Sequence, residues 1–302
     1  MNYLSLNTYL KNTFGCKVYK LSIDGDFTCP NRDGTLDTRG CIFCSGHGSG
    51  DFATSSKLSI TEQIEAAKER VAGKIQAGKY IAYFQAFTNT YAPVNELRKK
   101  FTEAINHPDI VAISIGTRPD CLPEEVLDLL SELNSIKPVW VELGLQTIHK
   151  KTADFIRRGY ELDIYDLAVR NLKSRGLYVV THVILGLPFE TEEMMLETVR
   201  YICTGFTLGN NSNQLYHIDG IKLQLLHVIK GTDLAALYEK GTFECMDMDT
   251  YVALIKKCIS IIPGDIAIHR MTGDGNKKTL LAPLWSGDKK RVLNCINKAL
   301  SE

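Results

Sequence analysis

The sequence contains no apolar stretch that approaches the roughly 20 residues required for a membrane-spanning helix. The N-terminal segment MNYLSLNTYLKNTFG lacks the basic residues and the apolar run of a secretory signal. These absences predict a cytoplasmic protein with no membrane partner. Because the cytoplasm keeps thiols reduced, we do not expect the nine cysteines to form structural disulfides.

The chain also lacks net charge, since 35 lysines and arginines balance 35 aspartates and glutamates. This balance requires no nucleic-acid partner, and it leaves room for a local basic patch. There is no internal repeat, low-complexity tract or long linker. A chain of 302 residues without these features is expected to form one large domain, or a core with a small extension.

Six apolar or β-branched runs alternate with helical patterns along the chain. The predicted strands are residues 17–23, 80–85, 110–115, 138–143, 178–185 and 221–226. The helical pattern after the first strand begins with Ser59 or Thr61 as a possible cap, and Gly176 and Gly205 are possible helix ends. Six strand–helix units predict parallel strands joined by right-handed crossovers. They fit an open doubly wound sheet or a partial barrel, with the chemistry at the carboxyl ends of the strands.

Polar residues follow or interrupt these strands at one end. They are Gln85, Thr88, Asn89 and Thr90 after the second strand, the segment GTRPD at 116–120 after the third, Gln146 after the fourth, His182 within the fifth and Gln224 within the sixth. Glu142 lies inside an apolar run, where a carboxylate is costly unless it has a partner. It is therefore expected either to serve a site or to form a structural ion pair.

Three cysteines, Cys29, Cys41 and Cys44, lie in the polar, turn-rich segment CPNRDGTLDTRGCIFC after the first strand. A structural zinc site would need a fourth ligand, for which Cys16 and His47 are the local candidates. A [4Fe–4S] cluster with three protein ligands would instead leave one iron open to a non-protein ligand. Spacing alone leaves both readings open. Five other cysteines are scattered singly and are expected to be small buried residues: Cys121, Cys203, Cys245, Cys258 and Cys295.

The three cysteines after a first strand, with Phe43 in CIFC, resemble the radical S-adenosylmethionine (radical SAM) superfamily. The stretches ISIGTRPD, VELGLQT, THVILGLPFET and KLQLLHVIKGTDL are similar to the core of Elongator's catalytic subunit. DGDFTCPNRDGTLDTRGCIFC, FQAFTNTYAP and the tail from IHRMTGDG onward resemble the bacterial YtqA/YhcC group more specifically. The resemblance implies an α/β fold, a partial (β/α)6 barrel of radical SAM type with a short C-terminal extension. The implied division is a core at 14–262 and an extension at 263–302 packed on it.

The same resemblance implies a [4Fe–4S] cluster held by Cys29, Cys41 and Cys44, whose open iron binds SAM. The usual three-residue spacing between the first two cysteines is eleven here, which is typical of this group. Arg158 is the implied partner of the SAM carboxylate, with Arg157 as its rival. The superfamily's Gly-Gly-Glu stretch is absent, so contacts to the SAM amino group are less defined. The implied cofactor contacts are Phe43, Gln85, Asn89, Gln146, Arg158, His182, Gly186 and Pro188.

The YtqA-type relatives are associated with maturation of the wobble-uridine side chain in tRNA, so the resemblance implies a tRNA substrate and a flavodoxin- or ferredoxin-type electron donor. Some 40 residues follow the core, too few for the acetyltransferase domain of Elongator-like proteins. The tail is locally basic, which fits a solvated face or an RNA footprint. Two alternatives stay open: a radical SAM enzyme acting on a small molecule or protein, and a zinc-stabilised binding protein without catalysis.

Overall fold

The structure, a computed structural model, describes residues 3–46, 48, 53–74, 78–207, 215–273, 275 and 277–301. The strands are β1 Val18–Ile23, β2 Lys79–Phe84, β3 Ile110–Thr117, β4 Val139–Gln146, β5 Tyr178–Leu185, β6 Phe206–Thr207, β7 Leu215–Tyr216, β8 Gly220–Leu225, β9 Val228–Ile229, β10 Ala267–Arg270 and β11 Leu280–Ala282. The helices are α1 Leu6–Phe14, α2 Ile60–Val71, α3 Val94–Asn106, α4 Glu124–Asn134, α5 Lys150–Phe155, α6 Leu162–Ser174, α7 Glu192–Thr204, α8 Asp233–Glu239, α9 Met248–Ile261 and α10 Lys289–Ser301. None of the helices in these ranges is long and apolar enough to cross a membrane.

The main sheet is a curved, wholly parallel sheet in the order β1-β2-β3-β4-β5-β8-β10. Helices cover its outer face, as the near-continuous apolar strands require. For example, Phe101 of α3 packs edge-on against Phe84 of β2, with ring centroids 5.0 Å apart. The predicted α/β partial barrel is confirmed, and all six predicted strands are present within three residues at each end.

A seventh strand, β10, extends the sheet beyond the six that the sequence predicts. It comes from the tail, and it was missed because IAIHR is a short run in which polar residues follow the apolar ones. Its Ala267 and Ile268 pair with Gly220 and Ile221 of β8. The tail from residue 263 therefore contributes to the sheet itself as well as packing on it.

The start and end of the helices follow the sequence signals. Ser59 caps α2 in a capping box with Glu62, because each side chain accepts a hydrogen bond from the backbone of the other residue. Gly205 follows α7 with a φ of 89°, and Gly176 follows α6 with a φ of 70°. Both are left-handed positions that favour glycine and end the helix.

The inward side chains of the barrel form layers, because every second residue of a strand faces the same side. The layer at the amino ends of the strands is apolar: Val18, Ile81, Ala112 and Trp140 form one buried cluster with Leu10 of α1. Trp140 stacks on Tyr178 at 4.7 Å and meets the edge of Tyr9 at 5.8 Å. Helix α1 therefore closes this end, and the barrel opens at the carboxyl ends of the strands.

Candidate active site at the carboxyl ends of the strands

The next inward layer is charged. Two residues further along the first four strands lie Lys20, Tyr83, Ser114 and Glu142, and β5 and β8 add His182 and Lys222. Glu142 is the centre of this layer and is fully buried. One carboxylate oxygen, Oε1, accepts hydrogen bonds from Lys20 Nζ at 2.5 Å and Ser114 Oγ at 2.6 Å. The other, Oε2, binds Lys222 and lies 2.7 Å from Nε2 of His182.

Opposing effects set the charge states in this layer. Burial alone would raise the pKa of Glu142, but the charges of Lys20 and Lys222 and the His182 hydrogen bond hold that pKa well below its usual range. Burial lowers the pKa of His182 to about 4 and that of Lys222 to about 7. His182 is therefore neutral at pH 7, and its Nε2 must carry the hydrogen donated to Glu142.

Above the charged layer lies a cavity of about 270 Å³ that opens at the carboxyl ends of the strands. Cys29, Cys41 and Cys44 all line it, as the sequence predicts for one site. The predicted cofactor contacts that also line it are Phe43, Gln85, Gln146, Arg158 and His182. Strand ends far apart in the sequence thus converge on one space.

Asn89, Gly186 and Pro188, also predicted as cofactor contacts, are not brought to the wall of this cavity. Asn89 is fully buried, and its Nδ2 donates to the carbonyl of Gly116 at 2.8 Å. The backbone N–H of Gly186 points to Sδ of Met195 at 3.0 Å. The positions of Asn89, Gly186 and Pro188 therefore do not support the predicted cofactor contacts of these three residues.

The eleven residues between Cys29 and Cys41 fold into a compact loop. Arg32 Nη2 donates to the carbonyls of Cys44 at 3.1 Å and Ser45 at 2.7 Å, which joins the two ends of the loop. Asn31 Nδ2 donates to the carbonyl of Arg157 at 2.8 Å and lies 3.5 Å from Sγ of Cys41. The long insertion is therefore a fixed part of the cysteine site, because Asn31 and Arg32 position the segment that carries Cys41 and Cys44.

The spacing of the three sulfur atoms argues against a single zinc ion. Three thiolates bound to one tetrahedral zinc at about 2.3 Å would lie about 3.8 Å apart. Within the described residues, the only group that brings three potential ligand atoms within 4.8 Å of one another is Glu65, His107 and Asp109. The sulfurs of Cys29, Cys41 and Cys44 therefore do not all lie within 4.8 Å of one another, which fits a different iron for each thiolate better than one shared zinc ion.

Neither proposed fourth zinc ligand supports the zinc reading. Cys16 packs with α1 and the apolar layer at the amino ends of the strands, whereas the three cysteines line the cavity at the carboxyl ends. It lies at the wrong end of β1 for a shared ion. His47 lies outside the described residues. Of the five cysteines predicted to be buried, Cys121 and Cys258 are buried, and Cys203, Cys245 and Cys295 are partly exposed.

One guanidinium group, that of Arg118, lies close enough to the thiols to affect them. Burial raises the pKa of Cys41 to about 12, and the neighbouring Arg118 opposes this increase. Arg118 is held by Asp120 at 2.7 Å and donates to the carbonyl of Arg158 at 2.8 Å. A metal-bound thiolate would retain its negative charge, so a buried guanidinium beside it favours the ligated form.

Arg158 is 3% exposed, and its guanidinium is held by backbone carbonyls. It donates to Thr147 at 2.7 Å and to Tyr160 at 2.8 Å, and it lies over the Tyr160 ring at 4.4 Å. The same side chain lines the cavity. Its rival Arg157 instead pairs with Asp233 at 2.6 Å.

Gln146 carries the strongest local sign of a ligand contact. Its φ is 71°, a conformation that costs a non-glycine residue free energy and is often found at functional sites. Its side-chain Oε1 is buried without a hydrogen-bond partner although the residue lines the cavity. A buried acceptor left open in this way fits a ligand that supplies the missing donor.

Sequence reasoning missed Lys20, Tyr83, Ser114, Lys222 and Arg270. The signal was present, because Lys20 and Lys222 interrupt apolar strands just as Glu142 does. Arg270 belongs to the locally basic tail by sequence, but it is the last residue of β10 and lines the cavity. Charged residues inside buried strands need partners, so Lys20 and Lys222 could have been predicted to pair with Glu142.

Two family models match the chain: the radical SAM superfamily over residues 38–202 and the radical SAM C-terminal domain over residues 218–302. The chain is 46% identical to the uncharacterised protein YtqA of Bacillus subtilis over 298 residues, which cover 99% of the chain and 89% of YtqA. It is 38% identical to YhcC of Escherichia coli K12 over 97% of the chain and 90% of YhcC.

Similarity extends to larger proteins. The tRNA uridine(34) acetyltransferase of Methanocaldococcus jannaschii is 28% identical over 59% of the chain, which spans 31% of that protein. The structure of the archaeal Elp3 of Methanocaldococcus infernus, with an N-terminal deletion, superposes with a TM-score of 0.66 at 20% identity, over 93% of this chain and 63% of that one. This likeness shows that the two chains share a fold.

Proposed function

Since the chain belongs to the radical SAM superfamily and is an enzyme of that class, we propose that Cys29, Cys41 and Cys44 hold its [4Fe–4S] cluster and that its substrate is the wobble uridine of a tRNA. When bound by these thiolates, the cluster would supply the electron for reductive cleavage of SAM. The observation that supports the ligand assignment is that all three cysteines line the same cavity, with sulfurs that do not all lie within 4.8 Å of one another.

The other cavity residues bind and orient SAM in this proposal. Gln146 offers its unpaired Oε1 to a hydroxyl or amino group of SAM. Arg158, fixed by the carbonyls of Thr147 and Tyr160, supplies positive charge toward the SAM carboxylate. Phe43 and Gln85 contact SAM from the cysteine loop and from the end of β2. Because the layer below is filled by Glu142 and its partners, the cavity is closed to water from that side.

A tRNA substrate is supported first by similarity, since the archaeal relative is a tRNA uridine(34) acetyltransferase by name. It is supported second by the start of α10, where Lys289, Lys290 and Arg291 are exposed. Cations at a helix N-terminus oppose the helix dipole, and a polyanion bound nearby would offset this unfavourable interaction.

The segment just before α10 is linked through Met246 to the carboxyl end of β5. The indole of Trp285, just before α10, donates to the carbonyl of Met246 at 3.0 Å. A Cβ at Gly186, directly after β5, would lie 3.4 Å from Cε of Met246. An RNA held at the start of α10 would therefore reach the carboxyl ends of the strands, where the cavity is. A flavodoxin- or ferredoxin-type protein would deliver the electron.

Comparative mass spectrometry of tRNA nucleosides, with and without the gene, tests the substrate. We expect one wobble-uridine derivative to disappear in the deletion strain and its precursor to accumulate, with restoration by the wild-type gene and not by a Cys41→Ala gene. An unchanged nucleoside profile, together with no salt-dependent tRNA binding by the purified protein, would refute tRNA and favour a small-molecule or protein substrate. Anaerobic purification tests the cluster separately: brown protein with about four irons per chain is expected.

A further inference from the structure

Lys222 is a buried amine at the floor of the cavity. It is the third residue of β8, so it lies about 10 Å along the strand from Leu225 at the rim. Its Nζ binds Glu142 and donates to the hydroxyl of Tyr83 at 3.1 Å. Lys222 and Tyr83 both line the cavity, and Lys222 is 4% exposed. An ammonium group has three donors, and these two contacts account for two of them.

Lys222 shares its carboxylate with a second lysine. Lys20 occupies Oε1 of Glu142, while Lys222 and His182 occupy Oε2. The titratable or charged groups that surround Lys222 come from every neighbouring strand and are Lys20, Tyr83, Glu142, His182, His269 and Arg270.

Burial lowers the pKa of Lys222 to about 7. The Glu142 carboxylate offsets part of this decrease, and the positive charges of Lys20 and Arg270 add to it. Burial likewise lowers the pKa of His269 well below its ordinary value, and His182 is neutral at pH 7. Burial also lowers the pKa of Lys20, and in this layer Lys222 combines a pKa near 7 with a place on the cavity wall.

We propose that Lys222 exchanges a proton with the substrate bound in the cavity. The amine accepts the proton of a substrate N–H or O–H group: that bond breaks, its electron pair stays on the substrate heteroatom, and an N–H bond forms at Nζ. Glu142 and Tyr83 hold the resulting ammonium group, and the reverse step returns the proton. The proposal rests on the proposed function only in placing the substrate in this cavity.

Lys20 is the matched comparison, because it binds the same carboxylate but does not line the cavity. A purely structural role would be shared by both lysines, since each neutralises one oxygen of Glu142. A proton-exchange role belongs to Lys222 alone. Arginine provides the second comparison, because a guanidinium group keeps the positive charge beside Glu142 and does not release its proton near pH 7.

The titration of Lys222 is measured without any substrate. In cluster-loaded protein labelled with [ε-¹³C]lysine, we expect one signal to titrate with a midpoint near pH 7 and to be missing from Lys222→Met. Exposed lysines should titrate near their ordinary pKa of about 10.4. A Lys222 signal that titrates above pH 9 would overturn the proposal, whatever the substrate is.

The pH profile of turnover is measured with bulk tRNA from the deletion strain. We expect kcat/KM of the wild type to rise with an apparent pKa near 7, and Lys222→Met and Lys222→Arg to lose roughly 10²- to 10⁴-fold in kcat/KM while retaining their iron content. Lys20→Met should keep the rising limb of the profile. Turnover restored by Lys222→Arg would show that charge alone matters and would refute proton exchange. If wild-type protein turns over no tRNA, the proposed substrate fails, and the titration alone decides the role of Lys222.

Discussion

The side-chain Nδ2 of Asn31 lies 2.8 Å from the carbonyl oxygen of Arg157, which fixes the cysteine loop against the turn after α5. Gly159 packs closely against the other side-chain atom of this amide, since a Cβ at Gly159 would lie only 2.9 Å from Oδ1 of Asn31. Asn31 is 2% exposed, so water cannot replace its hydrogen bonds. The position of Cys41, 3.5 Å from the same amide, therefore depends on a residue that binds no iron itself.

Asn31→Ala should weaken retention of the cluster without removing a ligand. It removes the Asn31 side-chain donor from the Arg157 carbonyl, a part-buried hydrogen bond whose loss costs about 1–3 kcal/mol. We expect the rate of iron loss to a chelator to rise by about tenfold or more under anaerobic conditions. Thr35→Ala, in the same loop but at an exposed contact with Tyr91, is the control and should match the wild type. If Asn31→Ala lost iron at the same rate as the wild type, this role of Asn31 would be contradicted.

Cys41→Ala should abolish cluster assembly and SAM cleavage, whereas Cys16→Ala should leave both largely intact. The two variants distinguish an iron–sulfur cluster from a zinc site with Cys16 as fourth ligand, because Cys16 lies at the opposite end of β1 from the cavity. Iron per chain and absorbance near 400 nm measure assembly, and 5′-deoxyadenosine measures cleavage. A full cluster in Cys41→Ala would refute the ligand assignment.

The sequence predicted the strands and the convergence of their ends well, because both follow from local patterns. Apolar runs such as 178–185 have few alternatives to a buried strand, and parallel strands must align their carboxyl ends. That rule alone brought Gln85, Gln146 and His182 to one cavity.

Register and side-chain direction could not be predicted in the same way. Asn89 is only four residues beyond Gln85, yet a turn directs it to the Gly116 carbonyl and away from the cavity. Lys20 and Lys222 are separated by about 200 residues, so their contact with the same carboxylate, that of Glu142, can be predicted only once the strand order is known. Long-range pairing, rather than local propensity, decided both cases.

Glu142→Gln should destabilise the fold strongly. It removes the charge that pairs with Lys20 and Lys222, and leaving buried cations without their partner typically costs roughly 3–5 kcal/mol. The free energy of unfolding in urea measures the effect. Glu132→Gln removes an exposed pair with Arg98 and should cost less than about 1 kcal/mol. A small effect at Glu142 would show that one lysine is uncharged in the folded protein.

The start of α10 should determine the salt dependence of tRNA binding. Removing one cation that binds a phosphate should reduce the slope of log Kd against log salt concentration by roughly 0.7–0.9. The triple variant Lys289→Gln, Lys290→Gln, Arg291→Gln should therefore lower the slope by up to about 2–3. The control is Lys11→Gln with Lys17→Gln, which lie at the end of the barrel that α1 closes. Equal slopes in all three proteins would exclude α10 from the RNA contact.

His182 should make the fold sensitive to mild acid. Its pKa falls from 6.5 to about 4 on folding, so the unfolded chain binds more protons between these values and stability decreases as pH falls through that window. Between pH 7.5 and 5.5 the wild type should lose about 1.4 kcal/mol of unfolding free energy from this residue. His182→Gln keeps a donor for Glu142 and removes the titration, so its loss over the same range should be smaller by that amount. Urea unfolding followed by tryptophan fluorescence measures the difference, and parallel pH curves would show that folding does not change the pKa of His182.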